Sequence, residues 1–324
     1  MAKRNKIPTV FRYAVFLYVV IAALVTGCST PKGCPPDCLG LNLVARDLAD
    51  QDLSGANLVE ADLRQADLSG ADLSGADLSG AILIDANLQN ADLTEAKLIG
   101  ADLTQANLGG VTLDDADLMG ADMTGTNLTG VNLARANLSG IVELEESSMI
   151  GVNLSGVDLS GAILINVNLA GANMSGSKLA AAWLSKADMS GARLHGSDMS
   201  AARLNIATLI GADLRDADLR GASMAGTDLT SANLRNARLV GAILVGADLS
   251  GADLSGADLR GATLVMIDTL RNPAAYDDPV LIELSETAWN ELSIGDTKLN
   301  GVKYDGNTQW PEGFDPPSSA ILQD

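Results

Sequence analysis

The sequence predicts an all-β fold, a rod of short extended segments and sharp corners wound into one continuous coil. Three observations carry that expectation. An apolar residue recurs every five positions over most of the chain, a small residue precedes it by two, and aromatics are scarce. Of 324 residues, 47% are apolar but only 3% aromatic, so a core has to be assembled from Leu and Ala. An apolar share that high also excludes disorder by composition.

Residues 1–27 have the three parts of a secretory signal. Lys3, Arg4, Lys6 and Arg12 form a basic start with no acid near it. The apolar run Ala14 to Val25 follows, too short for a comfortable membrane span. Val25-Thr26-Gly27-Cys28 then resembles the lipobox of bacterial lipoproteins. That resemblance implies that Cys28 becomes the first mature residue and carries lipid, and that Ser29 permits sorting to the outer membrane, facing the periplasm. The alternative is an ordinary signal or uncleaved anchor with a coincidental Cys. Residues 28–40 form a linker containing Cys34-Pro35-Pro36-Asp37-Cys38. Outside the cytoplasm a Cys34–Cys38 disulfide is the expected state, with free thiols the alternative. A zinc site lacks two further ligands.

From residue 41 to 266 the chain is repetitive. The stretch Ala66-Asp67-Leu68-Ser69-Gly70 shows the unit. Centres run from Leu43 to Leu138; one extra residue near Ile141 shifts the frame, and they resume from Leu144 to Leu264. Of 45 centres, 39 are Leu and 6 Met; 31 have Ala two places before and 30 have Asp or Asn one place before. A period of five suits neither regular element. At ~100° per residue a helix advances 140° in five, so the Leu column would spiral and form no face. A long strand needs period two. A short extended piece, in which alternate residues share a side, followed by a Ser-Gly corner, satisfies the pattern and puts Leu and Ala on the inner wall.

This pattern resembles the pentapeptide-repeat family. The resemblance implies a right-handed quadrilateral β-helix of four units per coil. Forty-five units then make about eleven coils, a rod on the order of 50 Å long. Leu41, Arg46 and Gln51 stand where Ala belongs and mark an atypical capping coil at the first end. At the other end, residues 267–324 are expected to form a short helical cap. Asp278-Pro279 reads as a helix start, with Leu281, Leu284, Ala288 and Leu292 on one face. Two further units are centred on Leu299 and Tyr304. Tyr304, Trp310 and Phe314 lie in a closing run that resembles tails of other members of the family.

With four units per coil, residues twenty apart share a side. One outward row in the second array reads Glu143, Ile163, Trp183, Arg203, Ser223, Ile243, Thr263, without Asp or Asn. Neighbouring corner rows add Ile165, Ile206, Val245, Val265 and Met266. An apolar stripe with a Trp on an acidic rod is the candidate partner-binding surface, namely Ile163, Ile165, Trp183, Arg203, Ile206, Ile243 and Val245. The opposing reading is that scattered exposed aliphatics are ordinary.

Lys and Arg total 21 against 41 Asp and Glu, a net −20; removing the signal leaves 17 bases and a charge of −24. That excess disfavours direct nucleic-acid binding. Residues 41–140 carry 16 acids and 4 bases, residues 141–266 carry 13 and 9. The single histidine, His195, has no nucleophile pattern around it in sequence, so no catalytic residue, cofactor or metal is expected. The composite expectation is a non-enzymatic, lipid-anchored rod of the bacterial envelope that binds an envelope protein or a second copy. Two alternatives remain. One is an acidic DNA mimic bound by a topoisomerase such as DNA gyrase, which some members of the family resemble, should the chain not be exported. The other is a weak glycan or divalent-cation surface.

Overall fold

The computed structural model describes residues 39–138 and 144–264, and in the tail 303–304, 308–309, 315–316, 318 and 320–322. Cys28, Cys34, Cys38, Glu143, Val265, Met266, the helix expected after Asp278, the unit at Leu299, Trp310 and Phe314 lie outside these. No helix occurs among the described residues.

Most five-residue units make one parallel bridge to the unit twenty positions on, so four units close a coil. The first side stacks Asn42, Asp62, Ile82, Asp102 and Asp122, then Ile163, Trp183, Arg203, Ser223, Ile243 and Thr263. The second runs from Asp47 through Asp67 and Asn87 to Asp248, the third from Asp52 to Asp253, the fourth from Asn57 to Asp258. Across the frame shift the pairing offset becomes 21, as in Asn127 with Ser148 and Asn132 with Asn153. These bridges, on the second and third sides, join the two arrays into one stack.

The backbone donors of one unit show why these residue types recur. Ala66 N–H closes the corner on Leu63 C=O at 3.0 Å, and Asp67 N–H reaches back one coil to Arg46 C=O at 2.8 Å. Leu68 N–H reaches forward to Asn87 C=O at 2.7 Å, and Gly70 N–H to Gln89 C=O at 2.9 Å. Ser69 N–H alone has no carbonyl; the carboxylate of Asp67 accepts it at 3.1 Å. An acceptor side chain before each Leu thus completes the hydrogen bonding of the unit, which is why Asp and Asn dominate there. The Ser69 hydroxyl donates to the same carboxylate at 2.6 Å, so Ser and Thr after the centre are explained as well.

Inside, Leu and Ala columns such as Ala61, Leu63, Ala81 and Leu83 are fully buried. Where Ala is replaced by Ser or Thr, the hydroxyl is satisfied at once: Ser177 donates to Met174 C=O at 2.8 Å and Ser197 to Leu194 C=O at 2.7 Å. In the first coil Leu43, Leu48 and Leu53 are only half-buried, and the inward Gln51 side-chain amide donates to Ala49 C=O at 3.3 Å. This polar side chain lies in the first coil of the described residues. At the far end the tail rejoins the stack. Lys303 bridges Asp253 and Gln309 bridges Asp258, so the tail supplies two more sides to the stack. Lys303, one place before Tyr304, lies on the third side. Strand β1 (Lys303–Tyr304) then pairs in parallel with β2 (Ile321–Leu322), both only two residues long, which suits an edge.

Corners place the residue two after each centre at positive φ. Gly, Asn, Asp and Gln fill most of these positions, but Ile206 adopts φ +60°, the one β-branched residue to do so among those described. Side chains branched at Cβ pay heavily there, roughly 1–2 kcal/mol.

Three outcomes are expected. Ala182→Leu, at a fully buried inner position, should cost about 1–3 kcal/mol by forcing adjacent coils apart, read as a lowered urea midpoint. Ile206→Asn, which puts at this corner the residue that Asn166 already supplies in the same column, should raise stability by about 1 kcal/mol; a fall would show that Ile206 packing outweighs its strain. The third concerns acid. Hydroxyl and amide donors from Ser69, Ser74, Ser79 and Ser160 hold the carboxyls of Asp67, Asp72, Asp77 and Asp158 below the usual range. A depressed folded pKa stabilises above the unfolded value and is lost as pH falls through the folded one. Stability should therefore drop below about pH 4, and Asp→Asn at these four positions should flatten that limb of a circular-dichroism titration.

Candidate protein-interaction face

The second-array half of the first side is the one long run in which the outward row lacks both Asp and Asn. Ile163, Trp183, Arg203, Ser223, Ile243 and Thr263 follow one another through successive bridges, so their side chains stand one coil apart, about 4.8 Å. The Arg203 guanidinium lies over the Trp183 ring, 4.0 Å from its centroid. Stacked in this way, cation and ring attract through the ring quadrupole. The row's six residues are all half-buried.

The adjoining corner differs from every other. In the first array the residue after the centre is exposed at Arg64 and half-buried at Ile84, Thr104 and Thr124. In the second array Ile165, Ser185, Asn205, Ala225 and Val245 are buried, the last three completely. Ile165 and Val245, expected on the partner-binding surface, therefore line the wall of the coil and present nothing to a partner. Ile206 is half-buried on the same corner.

Loss of the acceptor before the Leu is not sufficient to bury the corner. After Lys97, Arg193 and Thr208 the corresponding Ile99, His195 and Ile210 remain half-buried or exposed. The difference is continuity. Each corner amide bonds to the corner carbonyl of the next coil, as Asn166 N–H to Ser185 C=O, Lys186 to Asn205 and Ile206 to Ala225. Turn geometry is thus shared down a column. An isolated exception conforms to its neighbours, whereas five in succession change together. Within the altered corner the buried Asn205 side chain supplies the missing acceptor: its Oδ1 takes the Ala225 N–H at 2.9 Å and the Ser223 hydroxyl at 2.8 Å.

Elsewhere on the rod, cations sit on carboxylates. Arg215 and Arg220 clasp Asp213 and Asp218 and hold those carboxyls below the usual range, and Arg64 does the same to Asp62. Lys97, Lys178, Arg238 and Arg260 pair with Asp77, Asp158, Asp218 and Asp258. These pairs are largely exposed, so each adds little to stability. Arg203 lies over an aromatic ring.

Two features escaped the sequence reading. The most exposed large apolar side chains of the rod itself are Met119, Ile150 and Ile210, followed by Ile82. The first three occupy the position after a centre, where Ser and Thr prevail, and that substitution was the available signal. The other is a side-chain pair: His195 Nδ1 lies 3.0 Å from Ser175 Oγ, one coil away. The Ser175 hydroxyl also donates to Asn173 Oδ1 at 2.8 Å. With its proton so directed, Ser175 accepts from the imidazole, the reverse of an activated nucleophile. Among the described residues no group of three or more His, Cys, Asp or Glu is placed to hold a metal ion.

Comparison with known proteins accords with this geometry. A family model for pentapeptide repeats matches in eight copies, over residues 47–80, 71–110, 101–140, 143–180, 172–207, 197–236 and 227–265. HetL of the cyanobacterium Nostoc sp. strain PCC 7120, a pentapeptide repeat protein involved in regulating heterocyst differentiation, is 32% identical, over 77% of this chain and 96% of its own, with a TM-score of 0.36. Rfr23 of the cyanobacterium Cyanothece 51142 is 25% identical over 49% of this chain and 90% of its own, with a TM-score of 0.18. QnrB1, a plasmid-mediated fluoroquinolone resistance protein, is 15% identical over 69% and 96%, with a TM-score of 0.35. No curated protein matches the chain. Members of this family are generally structural or interaction modules and not enzymes. By repeat, by matched length and by identity, the chain belongs to the pentapeptide-repeat family.

Proposed function

We propose that this protein is a lipid-anchored, extracytoplasmic rod that serves the bacterial envelope as a protein-interaction module. Contact is made through the column Ile163, Trp183, Arg203 and Ile243, with Ile206 at its corner. One observation carries the reading: on a rod of net charge −20, this column is free of carboxylates and holds a Trp stacked under an Arg. Trp and Arg are the residue types that most often dominate the energy of protein interfaces, and a column without carboxylates has none to desolvate on contact. The anchor rests on Cys28 and the signal before it, and the envelope role rests on the anchor. The outer membrane, periplasmic side, is favoured by Ser29.

The acidic rows support a second reading, in which the rod imitates the charge of duplex DNA for a topoisomerase such as gyrase. That reading requires a cytoplasmic product. Cell fractionation with radiolabelled palmitate separates the two: label in the membrane fraction, abolished by Cys28→Ala, is expected, and an unlabelled soluble cytoplasmic product would contradict the envelope reading. The contact face is tested by crosslinking and pull-down from envelopes carrying native chain or the triple variant Ile163→Asp, Trp183→Asp, Ile243→Asp. Asp is the commonest residue at this position in the other columns, so the variant should fold. Partner recovery is expected to fall at least tenfold, and an unchanged partner set would remove the face from consideration.

A further inference from the structure

Five successive corners beside the contact column turn inward, and the middle one holds a polar side chain that reaches the next coil. The residues after the centres there are Ile165, Ser185, Asn205, Ala225 and Val245, all buried. In an ordinary unit the side chain before the centre folds back over the corner, as Asp67 does to take the Ser69 N–H at 3.1 Å. Ile163, Trp183, Arg203 and Ile243 carry no acceptor oxygen and cannot do this. At the unit of Ser223 the acceptor comes from the coil before. Asn205 Oδ1 takes the Ala225 N–H at 2.9 Å and the Ser223 hydroxyl at 2.8 Å.

The backbone around Asn205 is tied to both neighbouring coils. Its C=O accepts the Lys186 N–H at 3.0 Å, and the Thr227 hydroxyl donates to Leu204 C=O at 2.8 Å. Arg203 is bonded to the coil of Trp183: its N–H donates to Ala182 C=O at 2.9 Å, and its C=O accepts the Leu184 N–H at 2.7 Å. The short piece 203–205 thus carries an outward side chain of the column at one end and a buried side-chain anchor at the other.

We infer that Asn205 is the positioning residue of the contact column. By bonding to the next coil it keeps the corner inward, and the inward corner sets how Trp183 and Arg203 are presented. This deepens the proposed function, on whose column it rests, by naming a residue that governs the face without touching a partner, since Asn205 is fully buried. Without an oxygen at this place the Ala225 N–H is buried and unpaired, a state costlier than the loss of one bond. The corner escapes that cost by opening to water, in the manner of His195 and Ile210, which are exposed at the same position of their units. Each corner amide bonds to the corner carbonyl of the next coil, as Lys186 to Asn205 and Ile206 to Ala225, so the change passes to both neighbours. Asn205 stands third of the five, and neither end of the stretch is more than two coils away.

The test uses the full chain carrying Trp289→Phe and Trp310→Phe, which leaves Trp183 as its single tryptophan. Asn205→Leu removes the acceptor at similar volume, and Asn205→Asp keeps an oxygen in its place. Circular dichroism checks the fold of each. In the Leu variant the Ala225 amide should lose its protection from hydrogen exchange and Trp183 emission should shift to the red. Its recovery of envelope partners should fall as far as that of the triple column variant. The Asp variant should keep all three readouts near native. A residue of merely structural importance would lower the urea midpoint of the Leu variant and leave the Trp183 emission of the folded chain unchanged. That result overturns the positioning role, as does an Asp variant no closer to native than the Leu variant. Should the Leu variant not fold, the native chain decides: a native Ala225 amide that exchanges as fast as an exposed one overturns the role, and a protected one upholds it. The two readings fail separately. A native chain that recovers no partner removes the column's function, while Trp183 emission and Ala225 exchange still decide whether Asn205 positions it.

Discussion

Everything in this molecule follows from how closely one coil lies on the next. Parallel bridges at the usual strand spacing bring backbone within ~4.8 Å of backbone on all four sides, and only a small inward residue before each Leu tolerates that approach. Ala fills the role in most units, and its buried columns alternate with buried Leu. The same closeness satisfies four of the five backbone N–H groups in a unit without any side chain. The fifth needs an acceptor, and Asp67 under Ser69 shows where it comes from. Much of the acidic character is therefore a consequence of backbone hydrogen bonding on a rod, not a signature of a substrate. Asn accepts the same bond without charge, as Asn87 does for Gln89. The preference for Asp over Asn is a separate feature, and it discourages rods from aggregating by their edges.

One column breaks this scheme over five coils, and there the fold and the candidate site become the same question. Where Ile163, Trp183, Arg203, Ser223 and Ile243 replace Asp and Asn, the corner residues are buried and Asn205 takes over the acceptor role from one coil away. The residues left outward are half-buried, with Arg203 fixed on Trp183. Rigid, partly desolvated side chains lose little entropy on contact. A surface of this kind suits binding better than the exposed Ile150 and Ile210, which stand singly on another corner.

Much of the fold was legible in the residues because a period of five admits few backbones. The frame shift near Ile141 was legible too, since it is a matter of counting. What the row of outward residues could not convey was the burial of Ile165 and Val245. Reading units one at a time treats each corner as independent, whereas the corner amides couple them coil to coil. The strain at Ile206 belongs to the same class: a β-branched residue in a Gly-like position signals a local conflict, but its cause lies in the neighbouring coils. The Ser175–His195 pair is hidden by a twenty-residue separation and emerges only once coil length is fixed.

Amide hydrogen exchange on the native chain tests the central claim most directly. If coil-to-coil bonding holds the molecule together, amides of the centres and of the residues before them should be protected through both arrays from about residue 60 to 260, fading toward the ends as in a linear stack. Protection should carry across residues 138–144 without a step, because Asn127 and Asn132 bridge to the second array. Two blocks opening with unrelated free energies, or protection lacking the five-residue rhythm, would contradict a single continuous solenoid.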